Sequence, residues 1–215
     1  MKNRGEIILK PKKDESLHRF HPWVFSGAIA STSEGLQEGE VVKVLAADRT
    51  FLGVGHYQEG SISIRILSFE DEPIDRNFYI KRLSDAYHIR QKAGLIRPDN
   101  TIYRLVHGEG DNLPGLIIDI YDKTAVIQAH SVGMHKDRLL IVEALQEVVS
   151  SQTVAHIFCK SEATLSYTGD PEFQNEYLVG GENVNPVAVE NGLKFYIDWL
   201  RGQKTGFFID QRENR

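Results

Sequence analysis

Five short runs rich in β-branched, aliphatic and aromatic residues recur about every ten positions through the first seventy residues of this chain. They are Glu6–Lys10, Trp23–Ile29, Glu40–Leu45, Phe51–Tyr57 and Ser61–Leu67. The last alternates polar and apolar side chains with period two, the pattern of a strand with one face buried. Between them lie Ser33-Glu34-Gly35, Ala47-Asp48-Arg49 and Glu59-Gly60, segments suited to turns. Pro22 forces an extended approach to the second run. Strands this short at this spacing close into a small barrel or sandwich, which predicts a first domain over residues 1–72, ending at Asp71-Glu72-Pro73.

Beyond that boundary the periodicity changes. A helix is predicted over Arg76–Ala93, with Phe78, Leu83, Ala86, Tyr87 and Ala93 on one face and Gly94 ending it. A second is predicted over Met134–Val149, with Leu139, Leu140, Ala144, Leu145 and Val148 as its apolar stripe. Strand-like runs at Ile102–His107, Leu116–Tyr121, Thr124–Gln128 and Val154–Cys159 lie around these helices, with Asp122-Lys123 as a tight turn, and Glu162–Asn185 reads as irregular. Together these describe a central α+β domain over residues 73–186. From Val187 the chain carries a hairpin signal, Val187–Glu190 and Leu193–Ile197 about Asn191-Gly192. A loop over Gly202–Gly206 and the first turns of a helix over Phe207–Arg215 follow.

Charge bounds the partners. The chain of 215 residues has a formal net charge of −5, which by itself argues against a nucleic-acid binder. The acidity, however, is concentrated between residues 71 and 190, and the first 25 residues carry six basic against three acidic groups. A local basic face near the N-terminus is compatible with that total. Cys159 is the one cysteine, which excludes an intramolecular disulfide and a cysteine cage for a metal. No apolar run approaches the ~20 residues that span a bilayer, and a cytoplasmic setting is expected.

Several segments imitate familiar sites. Gly202-Gln203-Lys204-Thr205-Gly206 departs from the phosphate-loop pattern, because Gln203 precedes the lysine and Asp198 stands where the first glycine is required. Two readings remain for it: a plain connecting loop, or the rim of a small-molecule pocket with Lys204 and Arg212 as donors and Phe207 and Phe208 as walls. Gly108-Glu109-Gly110-Asp111-Asn112 precedes a strand and not a helix, so it lacks the helix N-terminus that holds a pyrophosphate, and it reads as a shaped loop. His88, His107, His130, His135 and His156 have no metal-like spacing. Cys159 reads as a buried small side chain. Trp23 and Phe25 read as core residues, with Pro22 shaping the turn. Arg19, His21 and Lys43, with His18, are candidate phosphate contacts. For Arg19 and Lys43 an ordinary surface role is equally open.

The residues that go further are Glu190-Asn191-Gly192-Leu193-Lys194-Phe195 and the block Gly202-Gln203-Lys204-Thr205-Gly206-Phe207-Phe208-Ile209-Asp210-Gln211-Arg212. With His21-Pro22-Trp23-Val24-Phe25-Ser26, Gly108–Asp119 and Gln174-Asn175-Glu176-Tyr177, they resemble the class I S-adenosylmethionine-dependent RNA cytosine-5 methyltransferases of the large-subunit rRNA type. The resemblance runs from about His21 to Arg212. It implies an α+β fold made of an N-terminal PUA-like small β-barrel, a central α+β domain, and, over 187–215, the opening hairpin of a Rossmann-like methyltransferase domain that is otherwise absent.

It also implies S-adenosylmethionine as cofactor. Gln203, Lys204, Thr205, Gly206, Phe208, Gln211 and Arg212 would border its pocket, and Arg19, His21 and Lys43 would meet RNA. In such enzymes a thiolate adds to C6 of the cytosine, so that C5 can attack the cofactor methyl before a base removes the C5 proton. The resemblance places that cysteine and the cofactor glycines later in the sequence, so no catalytic residue is expected in this chain, Cys159 being in the wrong domain. The expected partner is RNA, specifically 23S rRNA. A homodimer is implied by the resemblance only. The 215 residues are expected to stop short of the chemistry and to be inactive alone. The rival readings are a stand-alone PUA-type RNA-binding module and a methyltransferase acting on another RNA.

Overall fold

The computed structural model describes residues 4–150, 153–165 and 173–215. The first unit is a six-stranded sheet built from β1 (Gly5–Leu9), β2 (Trp23–Phe25), β3 (Ile29–Thr32), β4 (Val41–Leu45), β5 (Phe51–Tyr57) and β6 (Ile62–Ser68), with a short helix α1 (Glu15–His18) after β1. The strand order is β2-β6-β5-β4-β1-β3. β2 and β3 end that order on opposite sides, yet only Ser26–Ala28 separates them. Three linking residues reach at most about 14 Å, so the sheet must curl until its edges meet. The curl encloses Ile7, Leu9, Leu17, Val24, Val42, Val44, Ile64 and Ile66. The predicted run Trp23–Ile29 is thus two strands broken by a 3-10 turn, and each half pairs with a different partner.

The central unit begins with α2 (Arg76–Lys92), capped by the Asp75 carboxylate accepting from the Phe78 N–H at 3.1 Å and terminated at Gly94, whose φ is +68°. β7 (Ile102–His107), β8 (Leu116–Tyr121), β9 (Thr124–Ala129), helices α3 (Val132–Lys136) and α4 (Arg138–Val148), β10 (His156–Cys159), α5 (Glu162–Leu165) and β11 (Glu176–Val179) follow. Their sheet order is β11-β10-β9-β8-β7, antiparallel except for β9 beside β10, where α3 and α4 make the crossover.

Three expectations need correction. The second helix is broken after Lys136, its buried residues are Ile141, Val142, Ala144 and Leu145, and Leu139 is exposed. On α2, Phe78, Leu83, Ala86 and Tyr87 lie on the packed face as expected, but Tyr79 is buried with them and Ala93 is exposed. Glu162–Asn185, expected to be irregular, contains α5 and β11, while residues 166–172 lie outside the described residues.

The hairpin β12 (Val187–Glu190) and β13 (Leu193–Tyr196) turns through Asn191 and Gly192, both at positive φ, as its sequence requires. The terminal segment is a 3-10 turn over Ile209–Asn214 and not an α-helix. One face of the central sheet, with Leu116, Ile118 and Ile120, packs on α2 and α4. The other, with Ile102, Tyr121, Val126 and Phe158, is covered by Ala188, Ile197 and Trp199 of the terminal region.

Candidate functional site

Along β8, Ile118 and Ile120 point to the helical core, so the intervening Asp119 and the following Tyr121 must face the terminal region. Asp119 is 0% exposed. A carboxylate there requires partners, and it has them. Arg104 lies directly opposite in the β7–β8 register and donates from Nε at 2.8 Å and Nη2 at 2.9 Å. Thr205, also 0% exposed, donates from Oγ1 to Asp119 Oδ2 at 2.5 Å. With the threonine proton committed, Tyr121 is the donor across the 2.8 Å Tyr121–Thr205 contact. Its pKa is pushed up, first by burial and then by the Asp119 charge. The hydrogen bond to Asp119 likewise raises the Arg104 pKa.

The rest of the block divides into inward and outward residues. Arg212 donates to Glu190 Oε1 at 3.0 Å and to the Ile102 carbonyl at 2.8 Å, and Arg215 adds two bonds to the same carboxylate. Glu190 is itself buried. Gly206 has φ +117°, and a Cβ there would lie 2.8 Å from Trp199 backbone atoms, so only glycine fits. Gln203, Lys204, Phe208 and Gln211 are exposed. The Lys204 ammonium sits 4.7 Å from the Phe208 ring centroid, and Gln211 Oε1 accepts from Asn214 at 2.7 Å.

The outward set therefore offers donors and an apolar ring to a polar ligand, while Thr205, Gly206 and Arg212 hold the loop to the sheet. A cleft of about 520 Å³ opens beside Arg212 and Ile209. Its three arginines, Arg90, Arg104 and Arg212, are each committed to a carboxylate: Asp111, Asp119 and Glu190.

The residues expected to meet RNA do not converge. Arg19 and His21 lie together, exposed, before β2. Lys43 lies on β4, three strands away around the barrel in either direction, with its Nζ 2.5 Å from Asp71. Trp23 and Phe25 are not core: Val24 takes the inward position at 3% exposure and Phe25 is 50% exposed. Alternation along β2 puts His21, Trp23 and Phe25 in one outward row. The rings of His21 and Phe25 stand edge-on to Trp23 at 5.6 and 6.4 Å. The Trp23 indole N–H is held by Glu109 Oε1 at 2.9 Å, tying the barrel to the central unit through the Gly108–Asp111 turn. That turn is followed by β8, as a shaped loop would be.

Cys159 is buried, and burial raises its thiol pKa, which opposes a nucleophilic role. Sequence reading missed Arg104, Asp119, Tyr121 and Glu190. The available signal was an acid inside the apolar run Leu-Ile-Ile-Asp-Ile-Tyr, a position that demands a buried partner.

Residues 7–69 match the PUA-like domain family. A protein of Alteromonas mediterranea named ribosomal RNA large subunit methyltransferase I is 35% identical over 98% of this chain and 53% of its own length. Those so named from Vibrio cholerae and Shewanella frigidimarina are 36% and 39% identical, over 97% of this chain and 52% and 53% of their own lengths. Among solved structures, a chain from Streptococcus mutans described as a candidate SAM-dependent methyltransferase superposes with TM-score 0.78 at 20% identity, over 97% of this chain and 52% of that one. A candidate methyltransferase solved with SAH matches equally well; both likenesses are of fold. Along nearly its whole length the chain is thus similar to the large-subunit ribosomal RNA methyltransferases, of which it spans about half, and it carries a PUA-like domain over residues 7–69.

Proposed function

We propose that this chain is the RNA-docking and scaffold portion of an S-adenosylmethionine-dependent methyltransferase that modifies C5 of a cytosine in 23S rRNA, working in the cytoplasm. The observation that carries this reading is the division of the molecule into an outward aromatic row on the barrel, with basic side chains near it in sequence, and a terminal block held from within by Thr205 and Arg212 on buried carboxylates. The first suits a polyanion with exposed bases. The second suits a wall that must hold its shape beside a cofactor. The similarity to methyltransferases along 98% of the chain supports the assignment.

In this reading Gln203, Lys204, Phe208 and Gln211 face the cofactor, while Thr205, Gly206 and Arg212 fix the loop that carries them. S-adenosylmethionine, when bound, supplies the methyl group. The chain's own contribution is to anchor that wall, hold the Asp119 and Glu190 charges away from water, and position RNA. Cys159, buried with a raised pKa, does not supply a thiolate, so the chain alone is inactive. Incubation with 23S rRNA and radiolabelled S-adenosylmethionine tests this. RNA retention without label transfer is expected. Label in the RNA, or no retention at low salt, overturns the reading.

A further inference from the structure

We infer that the outward face of β2 is a stacking site for an unpaired RNA base, with Phe25 as the platform and Lys13 as the partner of the adjacent phosphate. This rests on the RNA-docking reading above and narrows it to single-stranded RNA. A groove beside β2 is lined by Lys13, Ser16, Trp23, Phe25, Gly27 and Ala28. Its volume of about 370 Å³ can accommodate one nucleotide.

The three aromatic residues of the row differ in availability. Trp23 is half-buried and its indole N–H is spent on Glu109, so it serves as a fixed backing. Phe25 meets Trp23 edge-on at 89° and is 50% exposed, which leaves ring surface facing solvent. Every base presents a π-face to such a ring, whereas the bases of a duplex are already stacked on one another.

Charge selects an anion among possible occupants. Lys13 and Arg19 are exposed and, among the described residues, form no salt bridge, while Lys10 reaches the Gly27 carbonyl at 2.9 Å. Of the nearby carboxylates, Asp14 is paired with His18 at 3.0 Å and Glu109 holds Trp23, leaving Glu15. A second exposed ring stands outside this groove. Phe20, next to Arg19, is 72% exposed and held at φ +59°, a left-handed conformation costly for a bulky residue. It packs edge-on against Phe69 at 5.1 Å and lines a separate groove with Glu70 and Glu72.

Gly27 supplies a direct test. A Cβ added there meets nothing within 4 Å and its φ is not positive. Gly27→Glu therefore places a carboxylate in the groove without disturbing the fold. The measurement is fluorescence anisotropy of the full chain with a labelled unstructured 12-nucleotide RNA and with the same sequence as a duplex, across a salt series.

The single strand is expected to bind at least about tenfold tighter than the duplex. Phe25→Ala should lose about tenfold on the single strand, the scale of one lost base stack, with the salt slope unchanged. Lys13→Ala should reduce that slope by about one. Gly27→Glu should lose more than either on the single strand while its circular dichroism matches the parent. Equal affinity for the two forms, or undiminished binding by folded Phe25→Ala and Gly27→Glu, overturns the stacking site and leaves RNA docking elsewhere standing. No binding of either form at low salt overturns both.

Discussion

The barrel's β2 face and the terminal block use the same residue types for opposite ends. Both bring arginine or lysine beside aromatic rings and hydroxyls. Before β2 the cations Lys13 and Arg19 lie in solvent, and on it Phe25 shows half its surface. In the terminal block Arg212 meets a buried carboxylate, Thr205 is sealed between Asp119 and Tyr121, and Trp199 stacks on Tyr121 at 6.3 Å. Unpaired charge on a surface contributes almost nothing to stability and is available to a ligand. Paired charge in the core is expensive to disturb and is unavailable. A motif's residue types therefore do not separate contact from support; the depth of each side chain does.

The contrast breaks most sharply at Asp119. Asp119→Ala strands the Arg104 guanidinium and the Thr205 hydroxyl. It should cost about 3 kcal/mol, the low end for breaking a buried pair, because Arg104 keeps some contact with water. Urea denaturation measures it. Phe25→Ala in the same assay should lose less than about 1 kcal/mol, since half the ring is already hydrated. Comparable losses at the two sites would mean that the β2 row is structural and the division between the regions false. Thr205→Val is the intermediate case. The isosteric change keeps the packing and removes the bridge between Tyr121 and Asp119, for an expected cost of about 1–2 kcal/mol. Trypsin should then cut more readily after Lys204, while RNA affinity stays unchanged. A stability equal to the parent's would show that water replaces the hydroxyl.

Much of this was legible beforehand, and the failures have physical causes. The β12–β13 hairpin was fixed by Asn191-Gly192, because few other dipeptides accept positive φ twice. The end of α2 was marked by Gly94 for an equally local reason. The burial of Tyr79 on α2 was not local. Tyr79 points inward to donate to Asp137 at 2.5 Å, and the same carboxylate meets His56 of the barrel at 3.0 Å, a contact spanning two units. Trp23 and Phe25 were assigned inward on hydrophobicity, although the period of two with Val24 already forced a choice between them. Small Val24 fits the narrow barrel interior, and the larger rings go outside. Arg212 and Thr205 could not be placed by motif alone, since their partners lie 22 and 86 residues away.

The smallest expected effect concerns Cys159, which belongs with the sealed region. It lies on β10 at 1% exposure, with the Ser161 hydroxyl at 3.4 Å and a thiol pKa raised by burial. A raised pKa favours the neutral thiol in the folded state. Its stabilising contribution is therefore complete below the unfolded value of about 8.5 and is lost as pH rises toward the folded one. Stability should decline slightly above pH 8.5, and Cys159→Ala should flatten that decline. The same burial means that Ellman's reagent at pH 8 should titrate no thiol in the native chain and one after denaturation. Rapid native labelling would show that β10 opens easily, and the sheet on which the terminal block rests could not then be the rigid support that the wall proposed above needs.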